Sequence, residues 1–90
     1  MILVVREYLM PRFFFSVRRD DVLTVDTEGS DLPDVERARR EAEMTLRELL
    51  AHAIKSGDQS LPEGIVVFDA QGDEIYSLQL DEIFPKTAKP

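Results

Sequence analysis

Residues 34–56 read DVERARREAEMTLRELLAHAIKS and carry the most regular pattern in the sequence. Small or apolar residues recur there every three or four positions, at Val35, Ala38, Ala42, Leu46, Leu49 and Ala53. This period places them on one face of an α-helix, while charged residues occupy the other faces. Each pair of opposite charges four residues apart, such as Glu43 and Arg47, stabilises the helix by about 0.3 kcal/mol. The stretch therefore predicts one amphipathic helix that packs on a β-sheet.

The ends of this helix are also marked in the sequence. Asp34 is a suitable N-cap because its carboxylate can accept from the free amides of the first turn, and Glu36 complements the helix dipole. At the other end Gly57 can adopt the left-handed conformation that ends a helix, and Lys55 has a favourable charge for the last turn. The helix is predicted to begin after Asp34 and to end before Gly57.

The sequence on either side of the helix predicts two β-hairpins. Each consists of two short runs rich in β-branched and aromatic residues, separated by a polar turn. In the second turn Gly72 supplies the positive φ that a tight hairpin requires. The strands are predicted at residues 12–18, 22–26, 64–69 and 74–80. The fold class is therefore α+β, with one helix packed on a four-stranded antiparallel sheet in the order ββαββ.

These elements make up a single domain over residues 10–84. Residues 1–9 differ in character and are predicted to be an N-terminal extension or an extra edge strand, so that either Met1 or Met10 could be the natural start. Residues 81–84 are expected to cover the sheet edge or to form one helical turn. Residues 85–90 contain two prolines and no apolar anchor other than Ala88, which predicts a disordered tail.

Composition excludes several classes of protein. The chain has 90 residues, a net charge of −7 and no cysteine. Disulfides and thiolate metal sites are therefore impossible, and the negative charge argues against general binding to nucleic acid or to an anionic membrane. No apolar run approaches the ~20 residues of a membrane span, and the N-terminus lacks the basic region of a signal peptide. The expected location is the cytoplasm.

Two segments resemble a known family. Residues 10–15 read MPRFFF, and residues 26–34 read DTEGSDLPD immediately before the helix, followed by Ala38-Arg39 and Glu41-Ala42. These motifs are similar to those of a small uncharacterised bacterial family, mainly alphaproteobacterial, that is known only as a domain of unknown function. Its members begin Met-Pro-Arg-Phe/Tyr-Phe and end in strand–turn–strand. The resemblance covers Met10 to about Leu80 and implies a bacterial cytoplasmic protein, but it supplies no catalytic residue.

The densest group of possible ligands is acidic. Six carboxylates occur between the first hairpin turn and the helix: Asp20, Asp21, Asp26, Glu28, Asp31 and Asp34. Carboxylate oxygens bind Mg²⁺ or Ca²⁺, which would permit a metal-dependent hydrolase. Gly29 is not at the sixth position of a calcium-binding loop, however, and turns, loops and caps are the ordinary use of such residues. The structural interpretation is favoured, and no metal site is predicted.

Other catalytic chemistry has little support. His52 is the only histidine and has no cysteine or second histidine for a zinc site. No serine lies in a nucleophile elbow, and there is no glycine-rich phosphate loop. We therefore predict neither an enzyme nor a cofactor. Arg12 beside Phe13-Phe14-Phe15 could stack on bases, which leaves a small antitoxin-like, nucleic-acid-linked regulator as an alternative, although the helix arginines alternate with glutamates.

The sheet has apolar residues on both faces, yet only one helix is available to cover it. One set of alternate residues consists of Phe13, Phe15, Leu23, Val25, Ile65 and Val67. If this set meets the helix, the other set points away from it; the alternation does not itself show which set is inside. The expected outer face contains Val22 and a candidate interface of Phe14, Val66, Phe68, Tyr76, Leu78 and Leu80. An exposed apolar patch of this kind marks a protein interface. The sequence thus predicts a protein–protein interaction module, most simply a homodimer, unless residues 1–9 and 83–84 cover that face.

Overall fold

The structure is a computed structural model and describes residues 10–84. In chain order it contains the strands β1 (Arg12–Arg19), β2 (Val22–Thr24) and β3 (Ser30–Asp31), the helix α1 (Val35–Ser56), the strands β4 (Gly64–Phe68) and β5 (Glu74–Gln79), and a 3₁₀ turn (Leu80–Ile83). The α+β class with one helix and an antiparallel sheet is confirmed. The predictions for residues 1–9 and 85–90 lie outside the described residues.

Helix α1 has the ends that the sequence indicates. The Asp34 carboxylate accepts a hydrogen bond of 2.8 Å from the Arg37 N–H. Gly57 is left-handed at φ 72°, and its N–H donates to the carbonyls of Ala53 and Ile54. An L-residue at Gly57 would be strained at this φ, which is why glycine ends the helix there.

The sheet has the order β2-β1-β4-β5, with every neighbouring pair antiparallel. The additional strand β3 also pairs with β1, with Arg12 opposite Asp31 and Phe13 opposite Ser30. The predicted order ββαββ is therefore wrong by one short strand before the helix. A two-residue strand carries too little periodicity to be recognised in a sequence.

The core lies between α1 and one face of the sheet, which we call the helix side. Its fully buried members come from the helix stripe and from alternate positions of the strands: Phe13, Ala38, Ala42, Leu46, Ile65, Val67 and Leu78. Ala38, Ala42 and Leu46 are 0 % exposed. Because two of these residues are alanines, the helix backbone approaches the sheet closely. The predicted positions of Phe13, Phe15, Ile65 and Val67 beneath the helix agree with this core.

Strand β5 faces the opposite way from the prediction. Tyr76 lies opposite Val67 and Leu78 opposite Ile65, so both share the helix side with those core residues, and Leu80 packs there too. Placing Tyr76, Leu78 and Leu80 on the outer face is therefore wrong. The alternation of a strand shows which residues share a face but not which face meets the helix.

The second hairpin turn sets this register. Oδ1 of Asp69 accepts hydrogen bonds of 2.9 Å from the N–H groups of both Gln71 and Asp73. The register then shifts between Val67 and Phe68, so that Phe68 lies opposite Glu74. Such a bulge changes the phase of the strand that follows it, which a regular alternation does not reveal.

The first hairpin corrects two further positions. Its turn has two residues, Asp20 and Asp21, both at positive φ, and not the three that were predicted. Leu23 consequently lies opposite Arg18, on the side away from the helix, and Val22 lies opposite Arg19 on the helix side. Val25 follows the end of β2 and is 63 % exposed, so it does not meet the helix either.

The 3₁₀ turn completes the helix side. Leu80 and Ile83 pack against the core, while Phe84 is 52 % exposed. The idea that residues 83–84 fold over the opposite face of the sheet is therefore wrong. Within residues 10–84, no helix has both the length and the apolar character that crossing a membrane requires.

Candidate functional site

The face of the sheet away from α1, which we call the outer face, carries the remaining candidate interface residues. Phe14 and Phe68 are directly opposite each other on β1 and β4 and are both half-buried. Beside them Val66 lies opposite Ser16 and is 4 % exposed. None of these three apolar residues belongs to the core beneath the helix. We call Phe14, Val66 and Phe68 the outer patch.

The loop between β2 and β3 lies along one border of this patch. It is held by Asp26, whose carboxylate Oδ2 accepts a 2.9 Å hydrogen bond from the Phe15 N–H of β1. Oδ1 accepts from the N–H groups of Glu28 at 3.1 Å and Gly29 at 3.2 Å. The Asp26 N–H in turn donates to Oγ of Ser16, which is 0 % exposed. Asp26 therefore replaces the strand partner that β1 lacks between β2 and β3.

These bonds favour the ionised form of Asp26. Burial of the carboxyl would by itself raise its pKa, but the N–H donors of Phe15, Gly29 and Glu28 lower the pKa below its ordinary value of 3.8. Hydrogen bonds to a carboxylate favour the ionised form, and three donors outweigh the loss of solvent here. Asp26 is thus a structural anion near neutral pH.

Gly29 brings the same loop close to the outer patch. It has φ +76°, and a Cβ atom at this position would lie 2.8 Å from Cε2 of Phe14 and 2.8 Å from Cγ of Arg12. Real Cβ atoms do not approach carbon so closely, so only glycine fits. The Phe14 ring is therefore packed against backbone on one side, which restricts its orientation.

Arg12 and Asp31 fasten β1 to β3 next to this loop. Nε of Arg12 donates to Oδ1 of Asp31 at 2.9 Å and Nη2 donates to Oδ2 at 3.2 Å, which makes a two-pronged ion pair. The third donor, Nη1, bonds the Glu28 carbonyl at 3.0 Å. Paired geometry of this kind orients both side chains, and it commits the Arg12 guanidinium to its own chain.

The structure separates the six predicted carboxylates, and five of them have structural positions, while the Glu28 side chain is exposed. Asp20 and Asp21 form the hairpin turn, and Asp20 accepts a 2.7 Å hydrogen bond from Ser60 Oγ. Asp26 holds its loop, Asp31 binds Arg12 and Asp34 caps the helix. In residues 10–84 no group of three or more histidine, aspartate and glutamate residues is placed to hold a metal ion. His52 is exposed on α1.

The two edges of the sheet differ. On the β2 side, the β1 backbone is bonded by β2, by Asp26 and by β3 in succession. On the β5 side, the Leu80 N–H donates to the Glu63 carbonyl at 2.8 Å. Because backbone groups of successive strand residues point in alternate directions, those of Leu78 and Tyr76 also point toward β4. The backbone of Ser77 consequently points away from the sheet. The next outward amide, Gln79 N–H, donates to Oε2 of Glu82 at 2.9 Å.

The part of the chain that forms this arrangement matches a protein family. Residues 12–81, which run from the start of β1 into the 3₁₀ turn, match a domain of unknown function (DUF6894). The chain belongs to this family. The match confirms the resemblance to an uncharacterised family and covers both hairpins, the Asp26 loop and α1. No curated protein and no solved structure matches the chain.

Two features of the site escaped the sequence analysis. Asp26 and Gly29 contact β1 residues that lie ten or more positions earlier, and a local pattern does not identify such partners. The one available signal is the segment DTEGSDLP itself, since an aspartate followed three residues later by glycine is typical of a side chain that bonds a turn.

Proposed function

We propose that this domain is a non-enzymatic protein–protein interaction module that acts as a homodimer through the outer patch. The observation that carries the proposal is the cross-strand pair of Phe14 and Phe68, two half-buried aromatic rings on the sheet face opposite the helix. Paired aromatic side chains bury a large apolar area and anchor many protein interfaces.

The charges around the patch support a face-to-face contact between two copies. Its centre is apolar, and the adjoining positions of the outer face are polar, among them Arg18, Glu74 and Ser77. An apolar centre with a polar rim is the usual anatomy of an interface. A two-fold axis near Phe14 and Phe68 would bring four rings together, two from each copy, in one contact.

Pairing of sheet edges explains a dimer less well. On the side of the sheet opposite β5, the edge consists of β2 and β3, which have only three and two residues and offer little length for pairing. If two β5 strands paired antiparallel about Ser77, Asp73 of one copy would lie opposite Asp81 of the other. Like charges directly opposite each other destabilise a sheet. The proposal therefore assigns self-association to the face.

The positions of the carboxylates support a non-enzymatic role, since Asp26, Asp31 and Asp34 all accept hydrogen bonds from their own chain. We likewise propose a bacterial cytoplasmic protein, on the basis of the MPRFFF motif and a cysteine-free sequence. The nucleic-acid-linked regulator has no specific support, because Arg12 is engaged by Asp31 and Glu28.

Light scattering on the full chain tests the dimer. At about 50 µM the expected mass is twice the 10.3 kDa of one chain, and it falls toward one chain on dilution. Phe68→Glu should give a folded monomer, because two buried charges would face each other in the contact. Phe84→Glu is the matched control: it charges an exposed phenylalanine outside the patch and should leave the dimer intact. A monomer at every concentration would overturn the proposal.

A further inference from the structure

We propose that the outer edge of β5 is a second binding surface, which takes up an extended basic segment of another protein as an added strand. This inference goes beyond the proposed dimer, because it uses a different surface and a different partner. The observation behind it concerns Ser77. The backbone N–H and C=O of this residue point away from β4 and have no strand partner within residues 10–84. Unpaired edge groups of this kind are the template for strand addition.

The charges along this edge define the partner. Asp73 and Glu74 are exposed at the start of β5, and Asp81 and Glu82 are exposed just beyond its end. Strand β5 itself contains no lysine or arginine. The nearby Arg39 lies on the helix side with its guanidinium 5.0 Å from the centre of the Tyr76 ring. The ends of the edge are therefore acidic, and the chain as a whole carries a charge of −7.

The spacing of these charges adds specificity. The six residues of β5 span roughly 20 Å, which exceeds the screening length of about 8 Å at physiological salt. The two acidic pairs thus act as separate attractions, one at each end. The segment that fits best has basic residues at both ends and β-branched residues between them. A second copy of this chain does not fit, since its own β5 has acidic ends.

The Glu82 carboxylate limits where the partner can pair. It already accepts the Gln79 N–H, so the backbone pairing is centred on Ser77 and does not extend through Gln79 unless Glu82 is displaced. A lysine or arginine of the partner near Glu82 would favour that displacement. An uncharged strand has no group that would displace the Glu82 carboxylate, whereas a basic strand does. The β5 edge therefore favours basic segments.

Amide hydrogen exchange by NMR on the full chain tests this inference. The probe is a synthetic peptide, acetyl-Lys-Lys-Val-Thr-Val-Thr-Val-Lys-Lys-amide. In the free protein the Ser77 amide should exchange fast while Leu78, bonded to β4, is protected. With saturating peptide, protection of Ser77 should rise by about tenfold or more, because its amide gains a strand partner. A control peptide of the same charge with its central valine replaced by proline should not protect Ser77.

Two variants separate strand addition from simple charge attraction. Ser77→Pro removes the outward N–H without removing a bond to β4, and should weaken peptide binding by about tenfold. Asp81→Lys should weaken binding by a similar factor and, because Asp81 lies in the 3₁₀ turn outside the outer patch, should leave the dimer intact. Equal binding of the proline-containing control, or protection of Ser77 in the free protein under dilute conditions, would overturn the proposal. Neither result bears on self-association through the outer patch.

Discussion

Replacement of Asp26 by asparagine should destabilise the domain while barely changing the size of the side chain. Oδ1 and Oδ2 of Asp26 together accept three N–H groups, from Phe15, Glu28 and Gly29. An asparagine has one oxygen and one NH₂ group, so either the Phe15 amide or the two loop amides would lose an acceptor. The bonds from Phe15 and Gly29 are partly buried, and an N–H left unsatisfied away from water costs about 1–3 kcal/mol; the loss of charge-assisted bonds adds to this. We expect a loss of about 2–3 kcal/mol in the free energy of unfolding.

This loss should depend on pH with a defined sign. The pKa of Asp26 is lowered in the folded state, so its contribution to stability is present above the ordinary value of 3.8 and disappears as pH falls through the lower, folded pKa. Urea unfolding of both proteins near pH 7 and at intervals below pH 4 measures the difference. The stability gap between the native chain and Asp26→Asn should be full at neutral pH and should narrow in acid.

The matched control is Asp58→Asn, which changes an exposed aspartate in the loop after α1. It should alter the free energy of unfolding by less than about 0.5 kcal/mol. The role assigned to the Asp26 carboxylate would be refuted if Asp26→Asn lowered the free energy of unfolding no more than the control does. It would also be refuted if the difference in the free energy of unfolding from the native chain stayed constant down to pH 2.

The remaining predictions concern backbone conformation and are read from thermal unfolding. Gly29→Ala should cost more than Gly57→Ala, because both residues have positive φ but only Gly29 has neighbours where the Cβ atom would lie, and equal costs would contradict this. Gly64→Ala should cost about 1–3 kcal/mol or more, since the new Cβ atom would lie 2.5 Å from the carbonyl oxygen of Leu78; an unchanged Tm would show that β4 and β5 separate easily. Asp21→Gly should raise the Tm by a few degrees, worth about 1 kcal/mol, because it relieves a positive φ of 63°; a lower Tm would reveal an unrecognised role for this carboxylate.

The sequence was sufficient where the signal is local. Asp34 and Gly57 define α1 because capping depends on residues within one turn of the helix end. The four longer strands were found for a similar reason: their composition and the turns between them are contiguous. Even there the first turn was predicted one residue too long, which reversed the faces of Val22 and Leu23.

The sequence was insufficient where distant residues set the geometry. The face of Leu78 depends on the bulge near Phe68 and on the Asp69 turn, neither of which interrupts the apolar alternation of β5. Strand β3 and the Asp26 loop exist because β1 offers them partners. Of the candidate interface, Phe14, Val66 and Phe68 lie on the outer face. The two β5 residues, Tyr76 and Leu78, and their neighbour Leu80 were assigned to the wrong side together, since one phase error moves a whole strand.

Self-association through the outer patch is the central claim, and isotope-filtered NMR tests it most directly. A mixture of ¹³C-labelled and unlabelled chains is examined for contacts that join one copy to the other. The proposal predicts intermolecular contacts among the rings of Phe14 and Phe68, and their loss in Phe68→Glu. Intermolecular contacts confined to β5 or to the exposed face of α1 would contradict it, as would a full set of intramolecular contacts with none between copies.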